Sequence, residues 1–226
     1  MEHILDNPVW NALISGNKAL ANGNEKAKYL LPEVSPFVGT ETIADDNFNA
    51  LNNAINFAGY FGFVAPYDIV IPAPWQVAQS LKVLQMVYEG VDNPEPIQQE
   101  FIPLDEQHVP QMLALTQLTN PGPFAEKTIE YGHYFGIFDG DKLVAMAGQR
   151  MNPLPYAEIS AVCTHPDYLG RGYASQLLLF HINRIIAAGQ IPFLHVKSDN
   201  ERAIKVYEKL GFVIRKEMSF YIIKKD

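Results

Sequence analysis

The stretch HPDYLGRGYASQLLLFHI, His165 to Ile182, constrains this chain more than any other. It follows AEISAVCT (157–164), which alternates as a half-buried strand does. It then places Gly170, Gly172 and Ala174 directly ahead of an apolar run with helical spacing. A strand, two glycines and a helix in sequence mean a sharp turn whose backbone comes close to something. The first amides of a helix lack intrahelical partners and attract phosphate-type anions. Arg171, inside the turn, is placed for a charge-assisted contact with such an anion. A tight turn that holds no ligand fits the same residues.

Two familiar phosphate cradles do not match. A P-loop needs G-x-x-x-x-G-K-[ST], and neither the lysine nor the spacing is present. A dinucleotide fingerprint needs a third glycine or alanine three residues after Gly172, where Ser175 stands, and an acidic residue about twenty positions on. What remains is a short turn of amides at a helix start, the backbone arrangement that suits a diphosphate.

The elements around the turn predict a mixed α/β layer structure. EFIPL is a short strand, and DEQHVPQMLALTQLT is a helix that Asp105 can cap. NPGPF is a loop. YFGIF and LVAMAGQRM form a hairpin around Asp139-Gly140. PFLHV is a strand. SDNERAIKVYEKLGF is a helix, with Ser198 and Glu201 as a capping box and Gly211 at its end. FVIRKEMSFYIIKK supplies one or two closing strands. Earlier in the chain, NPVWNALISGNKALANG reads as a helix broken at Gly23. FAGYFGFVAPYDIVIPAPW is aromatic and β-rich, and LKVLQMVYE alternates as a strand. The proline- and acid-rich EGVDNPEPIQQE reads as a linker between residues 1–98 and 99–226.

In combination, HPDYLGRGYASQLL and LHVKSDNERAIKVYEKLGF resemble the GNAT superfamily of acyl-CoA N-acyltransferases. EISAVCTHPDY is similar to its glycine N-acyltransferase-like branch. The resemblance covers about residues 99–226 and rests on a turn, a strand and an N-x-x-A-x-x-x-Y-x-x-x-G-F helix in the right order. It implies the GNAT fold, a mixed and mostly antiparallel sheet flanked by helices, preceded here by an α+β half with no nameable motif. That half either extends the sheet and walls off the acceptor pocket or forms a dimerisation surface. The resemblance also implies acetyl-CoA or another short acyl-CoA as acyl donor, held where two neighbouring strands part. The cofactor-binding set it implies is Val162, Cys163, Thr164, Leu169, Gly170, Arg171, Gly172, Tyr173, Ala174, Asn200 and Ala203. Leu169 departs from the family, whose turn begins with Arg or Gln, so its side chain cannot reach a pyrophosphate.

Acyl transfer to an amine needs a proton removed from a group whose reference pKa is about 10.4, and a proton delivered to a leaving thiolate. The resemblance implies Glu158 as base and Tyr207 as the thiolate's proton donor. An exposed strand glutamate and a packed core tyrosine are the plain structural alternatives. By strict alternation Glu158, Ser160, Val162 and Thr164 share one face, and Cys163 lies on the other. An amide at or near Val162 is placed to polarise the thioester carbonyl. The resemblance implies Asn200 as a coenzyme ligand; a helix cap is the plain alternative, and the two roles can coexist. The hairpin strand and the NPGPF loop border the acceptor pocket in related folds, which makes Phe124, Gln149 and Arg150 candidate acceptor contacts; a plain structural role is the alternative for each. The six histidines show no metal-ligand spacing, so no metal is expected.

The remaining bounds are coarse. One cysteine excludes an internal disulfide. The N-terminus lacks the basic and apolar regions of a signal peptide, no apolar run reaches membrane-spanning length, and a cytoplasmic protein is expected. A formal charge of −8 argues against nucleic acid as a partner. Residues 1–98 carry eleven acidic and four basic side chains, either a solvated surface or a rim that draws cationic acceptors. The sequence therefore predicts an N-acyltransferase acting on a small-molecule or peptide amine, as monomer or homodimer. A non-catalytic acyl-CoA-binding module is the alternative, with Leu169 in its favour.

Overall fold

The computed structural model describes residues 3–90, 97 and 99–226; most of the predicted linker lies outside them. The first half contributes helix α1 (Pro8–Ile14), strands β1 (Asn22–Gly23), β2 (Ala27–Tyr29) and β3 (Val38–Thr40), helix α2 (Asp45–Ala54), and strands β4 (Gly59–Ala65) and β5 (Gln76–Tyr88). The second contributes β6 (Ile102–Pro103), α3 (Val109–Thr119), β7 (Phe135–Asp139), β8 (Lys142–Gln149), β9 (Tyr156–Thr164), α4 (Tyr173–Ala187), β10 (Ile191–Lys197), α5 (Glu201–Lys209) and β11 (Phe212–Lys225).

Eight strands form one sheet in the order β4-β11-β5-β10-β9-β8-β7-β6. All neighbours run antiparallel except β9 and β10. The sheet crosses the boundary expected at residue 98. β5, from the first half, lies between β10 and β11, so the first half extends the sheet of the second. β1, β2 and β3 form a small separate sheet. Against it, α2 buries Phe48, Leu51 and Ile55 with Phe61, Phe63 and Trp75, whose indole donates to the Phe48 carbonyl at 3.1 Å.

The large sheet is covered on both faces. α4 and α5 pack over Ala157, Ile159, Leu194 and Phe212. α1 and α3 pack over Met146, Cys163, Phe193 and Met218 on the other face. This explains why β8 is apolar almost throughout: a strand covered twice has no solvent face to leave polar.

Two local expectations are corrected and a third is narrowed. The first helix stops at Ile14, because Gly16 docks onto the 152 loop and donates its N–H to Asn152 O at 3.1 Å. Asn200, not Ser198, caps α5 by accepting from Ala203 N at 3.2 Å, while Ser198 bonds to the Lys82 carbonyl of β5. The closing segment is one strand of 14 residues, bulged between Ile214 and Lys216.

Candidate active site

β9 and β10 are paired at only three positions, Tyr156 with Ile191, Ala157 with Pro192 and Glu158 with Phe193. Beyond Glu158 both strands continue unpaired to each other and open a gap in the sheet. β9 also carries a bulge there. Its ladder with β8 jumps from Ser160–Gly148 to Cys163–Met146, so Ala161 and Val162 together face a single residue of β8. Ala161 has φ 52°, a left-handed conformation that costs a residue with a Cβ about 1–2 kcal/mol. The bulge breaks the expected alternation. Val162 joins the α4 side with Ile159, and Cys163 turns into the core beneath α3. Bulges beside functional sites re-aim side chains in this way.

On the α4 face, the gap opens into a cleft of about 570 Å³. Val162, Thr164, Leu169, Gly170, Gly172, Tyr173, Ala174, Asn200, Ala203 and Tyr207 line it, with Thr119 from the end of α3. Gly170 and Gly172 have φ 78° and 79°, and a Cβ at either would meet nothing within 4 Å. The glycines therefore serve backbone conformation and an open approach, not close packing. α4 starts at Tyr173 without a side-chain cap, which leaves its first N–H groups free for an anion. Thr164 Oγ1 is buried without a hydrogen-bond partner and belongs to the cleft lining. Uncapped amides and an orphan hydroxyl fit a phosphorylated, amide-bearing donor such as an acyl-CoA. Tyr207 packs edge-on to Phe212 at 6.2 Å, and burial pushes its phenol up to about 12, so it stays protonated at neutral pH.

Two expected cofactor residues stand apart from this cleft. Arg171 turns back over the Tyr168 ring, 4.6 Å from its centroid. Cys163 is buried in the α3-side core, where desolvation pushes its thiol up to about 12.

On the α3 face lies a buried polar chain. Glu158 is fully buried. Its Oε2 accepts from Arg150 Nε at 2.9 Å, and its Oε1 from Arg150 Nη2 at 2.6 Å and His195 Nδ1 at 2.8 Å. Burial alone would raise its pKa; the Arg150 guanidinium and the His195 hydrogen bond outweigh that and hold it down at about 2. His195 Nε2 meets Gln85 Nε2 at 3.0 Å. Gln85 donates to Leu5 O and accepts from Arg215 Nε, which fixes its amide, so His195 Nε2 is the acceptor and Nδ1 carries the proton. Arg215 continues to Asp6 at 2.6 Å. Arg215 is the residue inside the β11 bulge, and Asp6 comes from the first turn of the chain.

Arg150 and His195 also line a second cavity of about 350 Å³, walled by Phe37, Val64 and Phe220 and bordered by Pro121, Gly122 and Pro123. Gln149 is buried outside it, and Phe124 packs edge-on against Tyr134 at 5.7 Å. Of the three expected acceptor residues, Arg150 alone lines this cavity. His195, Lys197, Phe37, Gln85 and Thr119 had no sequence signal; a lone histidine in a strand or a phenylalanine after proline looks like ordinary structure.

A solved structure assigned to the GNAT family of acetyltransferases, from Novosphingobium aromaticivorans, is 34% identical across the full length of both chains, with a TM-score of 0.88. The chain belongs to the GNAT acetyltransferase superfamily. Within this GNAT chain, residues 134–221 match the FR47-like protein family, the span from β7 into β11 that builds the cleft. N-alpha-acetyltransferase RimI of Mycobacterium tuberculosis is 34% identical over 86 residues, covering 36% of this chain and 52% of its own. A mycothiol acetyltransferase of Corynebacterium aurimucosum is 38% identical over 63 residues, covering 27% of this chain and 21% of its own. The chain thus spans about half or less of the length of these curated relatives. Among the described residues, no helix is long and apolar enough to cross a membrane, and no group of three or more His, Cys, Asp or Glu could hold a metal ion.

Proposed function

We propose that this protein transfers an acetyl group from acetyl-CoA to a primary amine by direct attack. The carrying observation is the parting of β9 and β10 after Glu158, with a helix-start cleft on one face and a cavity on the other. The free amides of Tyr173, Ala174 and the turn hold the diphosphate, and Asn200 and Ala203 border the donor's path. The bulge leaves one residue of the Ala161–Val162 segment outside the β8 ladder, and an amide there would polarise the thioester carbonyl. The amine enters from the α3 side. Its nitrogen forms the C–N bond, the C–S bond breaks, and the Tyr207 phenol protonates the departing thiolate. The ammonium proton leaves to solvent, and solvent returns a proton to the Tyr207 phenolate.

Glu158 takes a different part from the base its position suggests. A carboxylate held near 2 is poorly matched to a proton on an amine of about 10.4. Its work is to hold Arg150 and His195 in place at the acceptor cavity. We infer that the acceptor is small from the sequence resemblance of EISAVCTHPDY to the glycine N-acyltransferase-like branch.

Coenzyme A should protect the protein from heat, by roughly 2.7 kcal/mol at 100 times the dissociation constant. Desulfo-coenzyme A should protect equally and adenosine should not, because the phosphates carry recognition. Absence of any shift at saturating coenzyme A would remove the donor assignment. Protection without thiol release across a panel of amines would identify a non-catalytic acyl-CoA-binding protein.

A further inference from the structure

His195 stands on β10 two residues past Phe193, the last residue of that strand to pair with β9, and it lines the α3-face cavity. Among the described residues, no Asp or Glu lines that cavity, so the acidic excess of the first half forms no rim there. The charged groups around this end are Glu158 of β9, Arg150 after β8 and Lys197 of β10. Behind Gln85 of β5 come Arg215 of β11 and Asp6 of the first turn.

Glu158 Oε1 accepts from His195 Nδ1 at 2.8 Å. That bond suits the neutral ring and the imidazolium alike, because both can carry a proton on Nδ1. The group at Nε2 therefore decides the charge of the ring. Gln85 stands there, wholly buried, with its Nε2 at 3.0 Å. A side-chain amide can present either a donor or an acceptor, and here two contacts select the donor. Gln85 Nε2 gives one hydrogen to Leu5 O at 2.9 Å, and Gln85 Oε1 accepts from Arg215 Nε. The second amide hydrogen is left for His195. A half-turn of the amide would set its oxygen against Leu5 O and its NH2 against the guanidinium, and both bonds would be lost.

Both contacts trace to the first turn of the chain. Leu5 supplies its carbonyl, and the next residue, Asp6, holds Arg215 at 2.6 Å and Lys216 at 3.3 Å. The β11 bulge allows this: Lys216 pairs with Gln85 across the sheet and Arg215 is the extra residue beside it, so two cations reach one carboxylate.

We propose that Gln85 is a positioning residue of the acceptor site: clamped by the first turn, its amide donates to His195 Nε2 and keeps the ring neutral beside Arg150. A second ring proton would set N–H against N–H. The inference rests on the acyl-transfer reading and deepens it. An amine with a reference pKa of about 10.4 reaches the site as a cation at neutral pH. Glu158 already offsets Arg150, so an imidazolium would add a positive charge that nothing in the lining balances, and would repel that cation.

The test reads the ring by nitrogen NMR of the full isotope-labelled chain at neutral pH, with His195→Gln to assign the signals. Wild-type His195 should carry a proton on Nδ1 and none on Nε2. Gln85→Glu keeps the shape and turns the donor into an acceptor, so both ring nitrogens should then be protonated. Kinetics use whichever of glycine, phenethylamine, spermidine and trialanine releases thiol fastest from acetyl-CoA. Gln85→Glu should raise the KM of that amine by about 10-fold, as expected for one added like charge in a partly buried site. Heat protection by coenzyme A should stay unchanged, a split that general loosening of the fold would not produce.

A proton on Nε2 in the wild-type protein would overturn the proposal without any variant. So would a singly protonated ring in Gln85→Glu, or an unchanged amine KM in that variant once its ring is doubly protonated. The NMR result needs no turnover. If it holds while no amine releases thiol, the acyl-transfer reading falls and takes the positioning role with it, while Gln85 still sets the charge of the ring.

Discussion

Glu158 and Arg150 meet as a two-pronged ion pair, Nε to Oε2 at 2.9 Å and Nη2 to Oε1 at 2.6 Å, with the carboxylate wholly out of water. Neither partner tolerates loss of the other in that setting. Removing one member of a buried pair strands a desolvated charge and costs about 3–5 kcal/mol. Glu158→Gln is expected to lower unfolding stability by that amount in urea titrations at neutral pH. A loss under 1 kcal/mol would mean that water reaches Arg150 freely.

The same pair predicts a pH dependence with a definite sign. The folded-state pKa of Glu158, about 2, lies below its unfolded value near 4.5. A depressed carboxylate contributes stability that is fully present above the unfolded value and is lost as pH falls toward the folded one. The contribution is on the order of 3 kcal/mol. Wild-type protein should therefore lose stability between pH 4.5 and 2 more steeply than Glu158→Gln. Parallel acid curves for the two proteins would rule this out.

Tyr207→Phe keeps the ring against Phe212 and removes only the hydroxyl. If Tyr207 protonates the thiolate, kcat should fall on the order of 10²-fold with coenzyme affinity unchanged. Because burial holds the phenol at about 12, its ionisation should produce no alkaline fall in kcat below pH 10. Wild-type turnover in the variant, with chemistry limiting the rate, would return Tyr207 to core packing.

Gly172 separates space from conformation. A side chain there meets nothing within 4 Å, yet φ is 79°. Gly172→Val should strain the turn by about 1–2 kcal/mol, shift its amides and abolish protection by coenzyme A. Gly172→Asn, which tolerates a left-handed backbone, should retain most of the protection. Equal loss in both would mean that the side chain itself obstructs the ligand.

Leu169 lines the cleft with 49% of its surface exposed. Leu169→Arg places a cation beside the turn and should tighten coenzyme A binding by about 1 kcal/mol, discounted for exposure. Isothermal titration measures it. Unchanged affinity would show that the backbone amides already satisfy the phosphates.

The parts whose code is local were legible in the order of residues alone. Glycines at 170 and 172, the apolar spacing of α4, the Asp139-Gly140 hairpin turn and the Asn200-to-Gly211 helix each state their conformation within a few residues. Those parts include most of the cleft that lines the helix start. Tertiary structure decided what depends on partners far along the chain. A period-two pattern tells which residues alternate, but not that β9 holds one residue more than β8 across Ala161, so the facing of Val162 and Cys163 could not be read. Nor does a glutamate in a strand announce Arg150, His195 and, beyond them, Gln85, Arg215 and Asp6. The placement of β5 between β10 and β11, and with it the acceptor cavity, likewise joins segments more than a hundred residues apart. Such contacts exist only once the chain has closed its loops and buried the apolar faces on both sides of the sheet.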